Sequence, residues 1–403
     1  MEVHTFLLQL VIILFFARIM GELFSYLKIP AVLGELVAGI LIGPTLFGWV
    51  EATAPIYLLA QIGVILLLFE VGVETDVGRL TQAGMQSSLV ALTGVVLPFV
   101  FGFGICYYFF TLSMMVSLFV GSALTATSIG ITVRVLQDLK KNKSSEAQVI
   151  LGAAVLDDVI GIIILAMLYD FAVSGVVSTW NALQVLICVI LFFILGPLCA
   201  KGIAHVIQKW EEKTSIAGLL PTAMISLILF FAWVASSVGA PELLGGFAAG
   251  LAISRKFALP FFRSTSTFSH KVESQMKPII HLFTPIFFVS IGLSLDLASI
   301  DWSSSFLWSF TAVVFILAII GKFFSGAILF GQKWKSRLMV GIAMIPRGEV
   351  GLIFASIGKN TGVLNNDLYA SLVLIKKKIL FLLLQRLLKN QETLGQSCDP
   401  LML

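Results

Sequence analysis

Apolar runs of about twenty residues follow one another along most of the chain, broken by short polar stretches. A helix needs about that length to cross a hydrocarbon core about 30 Å thick. In lipid the backbone must satisfy its own hydrogen bonds, which is what a spanning helix does. Thirteen segments are bounded at residues 4–26, 31–48, 56–73, 86–110, 113–137, 146–171, 179–207, 214–238, 241–256, 276–295, 305–331, 335–358 and 367–389. The expected fold is therefore an all-α polytopic membrane protein. Of the 403 residues 58% are hydrophobic and 12% charged, which excludes a soluble enzyme.

The net charge of +4 calls for no nucleic-acid partner, because the basic residues fall mostly in short loops. Cys106, Cys188, Cys199 and Cys398 show no metal or redox spacing, and the four histidines form no ligand pair. Residues 4–26 lack a basic flank and a small-residue cleavage site, so they read as a first spanning helix rather than a removed signal. Loops following odd-numbered segments carry Lys28, Arg79, Lys140, Lys141, Lys209 and Arg263, among others, whereas those following even-numbered segments carry only Lys359. The positive-inside bias places the N-terminus outside and the C-terminus in the cytoplasm. Asn142-Lys143-Ser144 matches a glycosylation sequon but falls inside, and reads as coincidence.

The second and ninth segments resemble each other. IPAVLGELVAGILIG (29–43) matches APELLGGFAAGLAIS (240–254) at Pro30/Pro241, Leu33/Leu244, Gly34/Gly245, Ala38/Ala249, Gly39/Gly250 and Ile42/Ile253. Gly72 and Asp76 match Gly292 and Asp296, and the same offset takes Val120, Gly121 and Ala123 to Val340, Gly341 and Ala343. Segments two, three and five thus pair with nine, ten and twelve. Each pairing skips an odd number of segments, so the halves run in opposite directions through the membrane. Inverted repeats mark many secondary transporters, whose sites lie at the midplane where discontinuous helices cross.

The corresponding fifth and twelfth segments carry the signs of such breaks. The fifth contains Thr125, Thr127 and Ser128, whose hydroxyls can serve freed backbone groups. The twelfth contains Pro346, which removes a helix hydrogen bond, and Gly348. Asp157 and Asp158 sit side by side within the apolar stretch QVILGAAVLDDVIGIIILAMLYDF (148–171). A carboxylate near the bilayer centre costs about 2.5–3.5 kcal/mol even on lenient scales, and usually marks an ion or proton path. Counted from the cytoplasmic ends of their segments, Asp157, Lys322, Thr127 and Pro346 all lie about 13–16 Å deep. A lysine there needs a carboxylate partner. Adjacent aspartates point about 100° apart on a helix, so one can pair with Lys322 while the other faces a cavity. Arg134, Arg347 and Glu349 are expected to form a network bracing the crossing. Glu35, Glu70 and Glu242 read as interfacial or cavity-edge residues.

At these residues the chain resembles the monovalent cation:proton antiporter-2 family, nearest to bacterial two-aspartate sodium/proton antiporters of the NapA type. The motifs are ALTATSIGITVRVLQDL (123–139), ILGAAVLDDVIGIIILA (150–166), the lysine of IIGKFFSGA (319–327) and IPRGEVGLI (345–353). The resemblance covers about residues 1–374. It implies a homodimer in the bacterial inner membrane. It also implies a sodium/proton exchanger domain over 1–389. That domain has a dimer part at about 1–80 and 214–300, a mobile core at about 86–171 and 305–389, and a linker helix at 179–207. It makes Asp158 the binding group for Na⁺ or Li⁺, Asp157 the aspartate paired with Lys322, and Thr127 a contributor to ion coordination.

The expected activity is electrogenic exchange of Na⁺ or Li⁺ for protons by alternating access, with no cofactor. K⁺/H⁺ exchange is the nearest alternative, and a gated cation channel or sensor belongs to another class. An intramembrane aspartyl protease would need its aspartates on separate helices, commonly with a GxGD motif. One departure from the family is Lys376-Lys377-Lys378 inside the thirteenth segment, followed by an atypical tail at 390–403. Three lysines near a helix centre predict that an end altered from Lys376 onward, as by a shifted reading frame, compromises the last helix.

Overall fold

The computed structural model describes residues 3–27, 30–75, 82–139, 141–142, 144–174, 179–213, 218–254, 266–294, 303–347 and 349–375. Every regular element among them is helical. In chain order these are α1 (Val3–Tyr26), α2 (Ala31–Ile42), α3 (Ala54–Glu74), α4 (Gly84–Gly104), α5 (Met114–Ala123), α6 (Ile129–Asp138), α7 (Ser145–Ser174) and α8 (Thr179–Lys213). There follow α9 (Leu219–Ser237), α10 (Glu242–Ile253), α11 (Ser266–Leu293), α12 (Ser305–Ser325), α13 (Trp334–Ala343), α14 (Glu349–Asn360) and α15 (Asn366–Ile375). Among the described residues, eight helices are long and apolar enough to cross a bilayer. The lysine run at 376–378 and the tail lie outside the described residues.

The helices fall into two groups by their contacts. The first joins α1, α2 and α3 to α9, α10 and α11; the second joins α4, α5 and α7 to α12, α13 and α14. α6 lies between them and touches α2, α3 and α7, while α8 rests on α7, α9 and α10. Large apolar side chains on the outer face of α1, including Leu7, Leu8, Val11 and Phe15, are exposed. On a membrane-spanning helix that face suits lipid.

α2 and α10 are shorter than the segments expected there, at 12 residues each, and both follow a proline. Twelve residues span only about 18 Å. The shortness is tolerable because both helices are interior: most of α2 and nearly all of α10 is buried.

Glycines let the helices approach backbone to backbone, and they do so in repeat-related pairs. A Cβ added at Gly39 would lie 2.1 Å from the Val289 carbonyl oxygen and 2.8 Å from the Cα of Gly292. A Cβ at Gly250 would lie 2.2 Å from the Phe69 carbonyl oxygen and 2.9 Å from the Cα of Gly72. Gly39 matches Gly250 and Gly72 matches Gly292, so each contact is the repeat image of the other. Gly34 and Gly245, also matched, sit against the carbonyls of Met20 and Phe231, each 2.2 Å from the added Cβ.

The fifth and twelfth segments are each broken into two short helices, α5/α6 and α13/α14. The breaks fall at Leu124–Ser128 and just after Ala343, where hydroxyls and a proline anticipate them.

Candidate functional site in the crossing

α7 carries Asp157 and Asp158 with only 1% and 3% of their surface exposed. Lys322 on α12 is fully buried and donates to Asp157 Oδ2, forming an ion pair. The Thr127 hydroxyl donates to the same oxygen at 2.5 Å. Asp157 Oδ1 is buried with no hydrogen-bond partner. An ammonium and a hydroxyl therefore converge on one carboxylate oxygen, in a setting of low dielectric where electrostatic interactions are strong.

Gly94 on α4 makes room for that ammonium. A Cβ there would lie 3.4 Å from Lys322 Nζ. α4 closes onto α12 one residue earlier, where a Cβ at Gly321 would come within 2.8 Å of the Pro98 nitrogen.

The two broken segments satisfy one another. The backbone N–H of Ser128 donates to the Pro346 carbonyl at 2.9 Å, and the Thr132 hydroxyl donates to the Ala343 carbonyl at 3.0 Å. The Ser128 hydroxyl also caps α6 by accepting from Ile131 N–H at 3.4 Å. Arg347, 5% exposed, donates to the carbonyls of Leu124 and Ala318. Leu124 closes α5, so the guanidinium sits at a negative helix end. Ala318 lies one turn before Lys322, so Arg347 ties the crossing to the lysine helix.

A cavity lies between α3, α6 and α7, and its wall on α7 ends at Ala154, one turn before Asp158. Its α7 wall includes Ala147, Leu151 and Ala154, which share one helix face. Asp158 is the next position on that face, four residues on. Asp157 points about 100° away, toward Lys322. Asp158 still exerts an electrostatic pull on the Lys322 ammonium. Glu74 and Thr75 of α3 and Thr132 and Gln137 of α6 complete the polar part of the wall.

The crossing thus gathers Thr127, Asp157, Lys322, Pro346 and Arg347, while other sequence-derived roles are redistributed. The Thr127 hydroxyl is bonded to Asp157, within the Asp157–Lys322 pair. Thr125 bonds back to the Ser122 carbonyl at 2.8 Å, an ordinary local contact. Of the expected arginine–glutamate brace, the contacts of the two arginines are described. Arg134 pairs with Asp138 one turn along α6 at 3.4 Å, and Arg347 uses backbone carbonyls. The side chain of Glu349 and residue 348 lie outside the described residues. Sequence reasoning missed Gly94, whose role is an absent side chain and leaves no chemical signature.

A buried pair of aspartates beside a crossing of broken helices, in a chain built on inverted repeats, defines a secondary transporter. A family model described as sodium/hydrogen exchanger, transmembrane, matches residues 11–387, and the chain belongs to that family. The Na(+)/H(+)-K(+) antiporter GerN of Bacillus cereus is 34% identical over 371 residues, covering 92% of each chain. The high-affinity Na(+)/H(+) antiporter NhaS3 of Synechocystis is 31% identical, covering 92% of this chain and 86% of its own. A structure of the sodium proton antiporter MjNhaP1 from Methanocaldococcus jannaschii superposes with a TM-score of 0.75 over 100% of both chains at 17% identity, which establishes the shared fold.

Proposed function

We propose that the chain exchanges Na⁺ or Li⁺ for protons across a bacterial inner membrane, with Asp158 as the shared binding group. The observation that carries this reading is the face of α7 whose Ala147, Leu151 and Ala154 line the cavity, since Asp158 is the next position on that face, one turn deeper. An ionised carboxylate with carbonyl and hydroxyl oxygens nearby suits a hard monovalent cation. The same carboxylate, protonated, cannot hold the cation, so each species lowers the other's affinity. Asp157 carries the second proton-linked role. Its bond to Lys322 rearranges when Asp158 changes occupancy, because both aspartates act on one ammonium.

The α4–α7 and α12–α15 group is the moving core, the α1–α3 and α9–α11 group the scaffold and homodimer surface, and α8 the linker. Apolar residues of both groups, Ile129, Val133 and Val155 with Val64, Leu67 and Phe247, share one cluster. Such a face permits sliding without broken hydrogen bonds. With more than one proton per cation the exchange is electrogenic, and each net charge moved through 100 mV contributes about 2.3 kcal/mol.

K⁺/H⁺ exchange is the second reading, favoured by the potassium in the printed name of the Bacillus cereus relative. Proteoliposomes loaded with a pH dye separate the alternatives. Addition of Na⁺ or Li⁺ is expected to drive uphill proton movement in the native chain and none in Asp158→Asn. A response to K⁺ alone would move the assignment to potassium. Passive proton flow with no uphill phase would make the chain a channel.

A further inference from the structure

We propose that the arrangement described above is the cytoplasm-open state, and that Gln137, Asp138 and Asn142 form a clasp that holds it and must release in every transport cycle. These three side chains reach from the α6–α7 side onto α2 and α3. Asn142 donates through Nδ2 to Glu74 Oε2 at 2.6 Å. Gln137 lies beside Glu70, one turn back along α3. The Asp138 carboxylate faces the backbone N–H groups of Ala31 and Val32 at the start of α2, while Arg134 holds it from its own helix at 3.4 Å.

These contacts differ in kind from the rest of the interface. The apolar face is non-directional and tolerates sliding. A hydrogen bond is lost within about 1 Å of displacement. The polar set therefore defines a resting position, and the apolar face defines only a path. The clasp also belongs to the cavity wall, since Glu74, Gln137 and Asn142 line it. Its release reshapes access to Asp158.

The repeat shows that the clasp is one-sided. An inverted repeat builds two end states from equivalent parts, so differences between the halves set which state is favoured. The offset that takes Gly72 to Gly292 puts Ile357, Gly358 and Gly362 where Gln137, Asp138 and Asn142 stand. It puts Ser290 and Ser294 in place of Glu70 and Glu74. Both serines turn back to their own helix, bonding the carbonyls of Phe287 and Ile291 at 2.8 Å. The opposite face therefore has no counterpart built from these positions, and the bias runs toward the cytoplasm-open state.

The inference rests on the proposed motion of the core against the scaffold, and its test is separable from transport. Ala154→Cys serves as a reporter in the cavity, modified from the cytoplasmic side by a small cationic methanethiosulfonate, with the chain lacking that change as background. Loss of one hydrogen bond to a charged group changes an equilibrium by roughly tenfold. Asn142→Ala is expected to slow modification at least about threefold, and Asn142→Asp, which sets like charge beside Glu74, further still. In a Glu74→Cys, Asn142→Cys chain, a short bifunctional methanethiosulfonate is expected to stop exchange, and dithiothreitol to restore it. Unchanged modification in both Asn142 variants, or full exchange in the crosslinked protein, would overturn the clasp. Absence of exchange in the native chain would count against the transport reading alone, because the modification rates need no transport.

Discussion

Lys322 and Asp157 form an ion pair across 165 residues of sequence, with both side chains wholly withdrawn from solvent. Neither is tolerable without the other at that depth. The pair assigns the hydrogen bond from the lysine to Asp157, one residue before Asp158.

Removing one partner strands a buried charge. Lys322→Ala is expected to destabilise the protein by about 3–5 kcal/mol, whereas adding Asp157→Asn to it recovers most of that loss. Thermal unfolding in detergent of both single variants and the double variant measures the coupling. Additive effects would mean that the two side chains do not depend on each other.

The two aspartates should separate by function. Asp158→Asn is expected to reduce cation-driven proton movement to the level of empty liposomes. Asp157→Asn is expected to retain cation movement with fewer protons per cation, read as a weaker response to membrane potential. Equal behaviour of the two variants would remove the division of labour.

Competition at one carboxylate has a definite sign with pH. The cation needs the ionised form, so the concentration giving half-maximal exchange rises as pH falls, tending toward about tenfold per pH unit for one competing proton. Initial rates against Na⁺ concentration at several pH values check this. A half-saturation value independent of pH would exclude a shared site.

Gly94 should tolerate little. The Cβ of Gly94→Ala meets Lys322 Nζ at ordinary contact distance, 3.4 Å. The added methyls of Gly94→Val have no such space, and overpacking of this kind costs about 1–3 kcal/mol. Exchange and thermal stability are expected to fall sharply in the valine variant and slightly in the alanine variant. A fully active Gly94→Val chain would show that the ammonium can sit elsewhere.

Arg347 holds two carbonyls with one planar fork. Arg347→Lys keeps the charge but supplies a point donor that cannot span both. Hydrogen bonds to charged groups are worth about 1.5–3 kcal/mol each, so the crossing loosens and exchange is expected to drop at least tenfold. Exchange assays paired with unfolding curves distinguish this from simple loss of protein.

Much of the site was readable before any coordinates, for reasons of cost. A charge or a helix breaker deep in an apolar run is expensive, so Asp157, Asp158, Lys322 and Pro346 stand out from their surroundings. Counting residues from the cytoplasmic ends put them at one depth because a helix advances at a constant rate per residue. Side-chain direction was not readable in the broken segments, where helical phase is lost. Thr127 and Arg347 were therefore located but their partners were not. Asn142 carried only a sequon and was set aside, since the carboxylate that gives it meaning, Glu74, lies on another helix.

Hydropathy and spacing alone determined that this chain is a multi-pass helical membrane protein of duplicated, inverted design, because lipid penalises every unpaired polar group and so writes the spans into composition. Tertiary structure alone decided which oxygen receives Lys322, which carbonyls receive Arg347, and which face of α7 meets the cavity. Those outcomes depend on how separate helices are turned against one another, as where Gly321 beside Lys322 lets α12 pack closely on the backbone of α4 at Pro98.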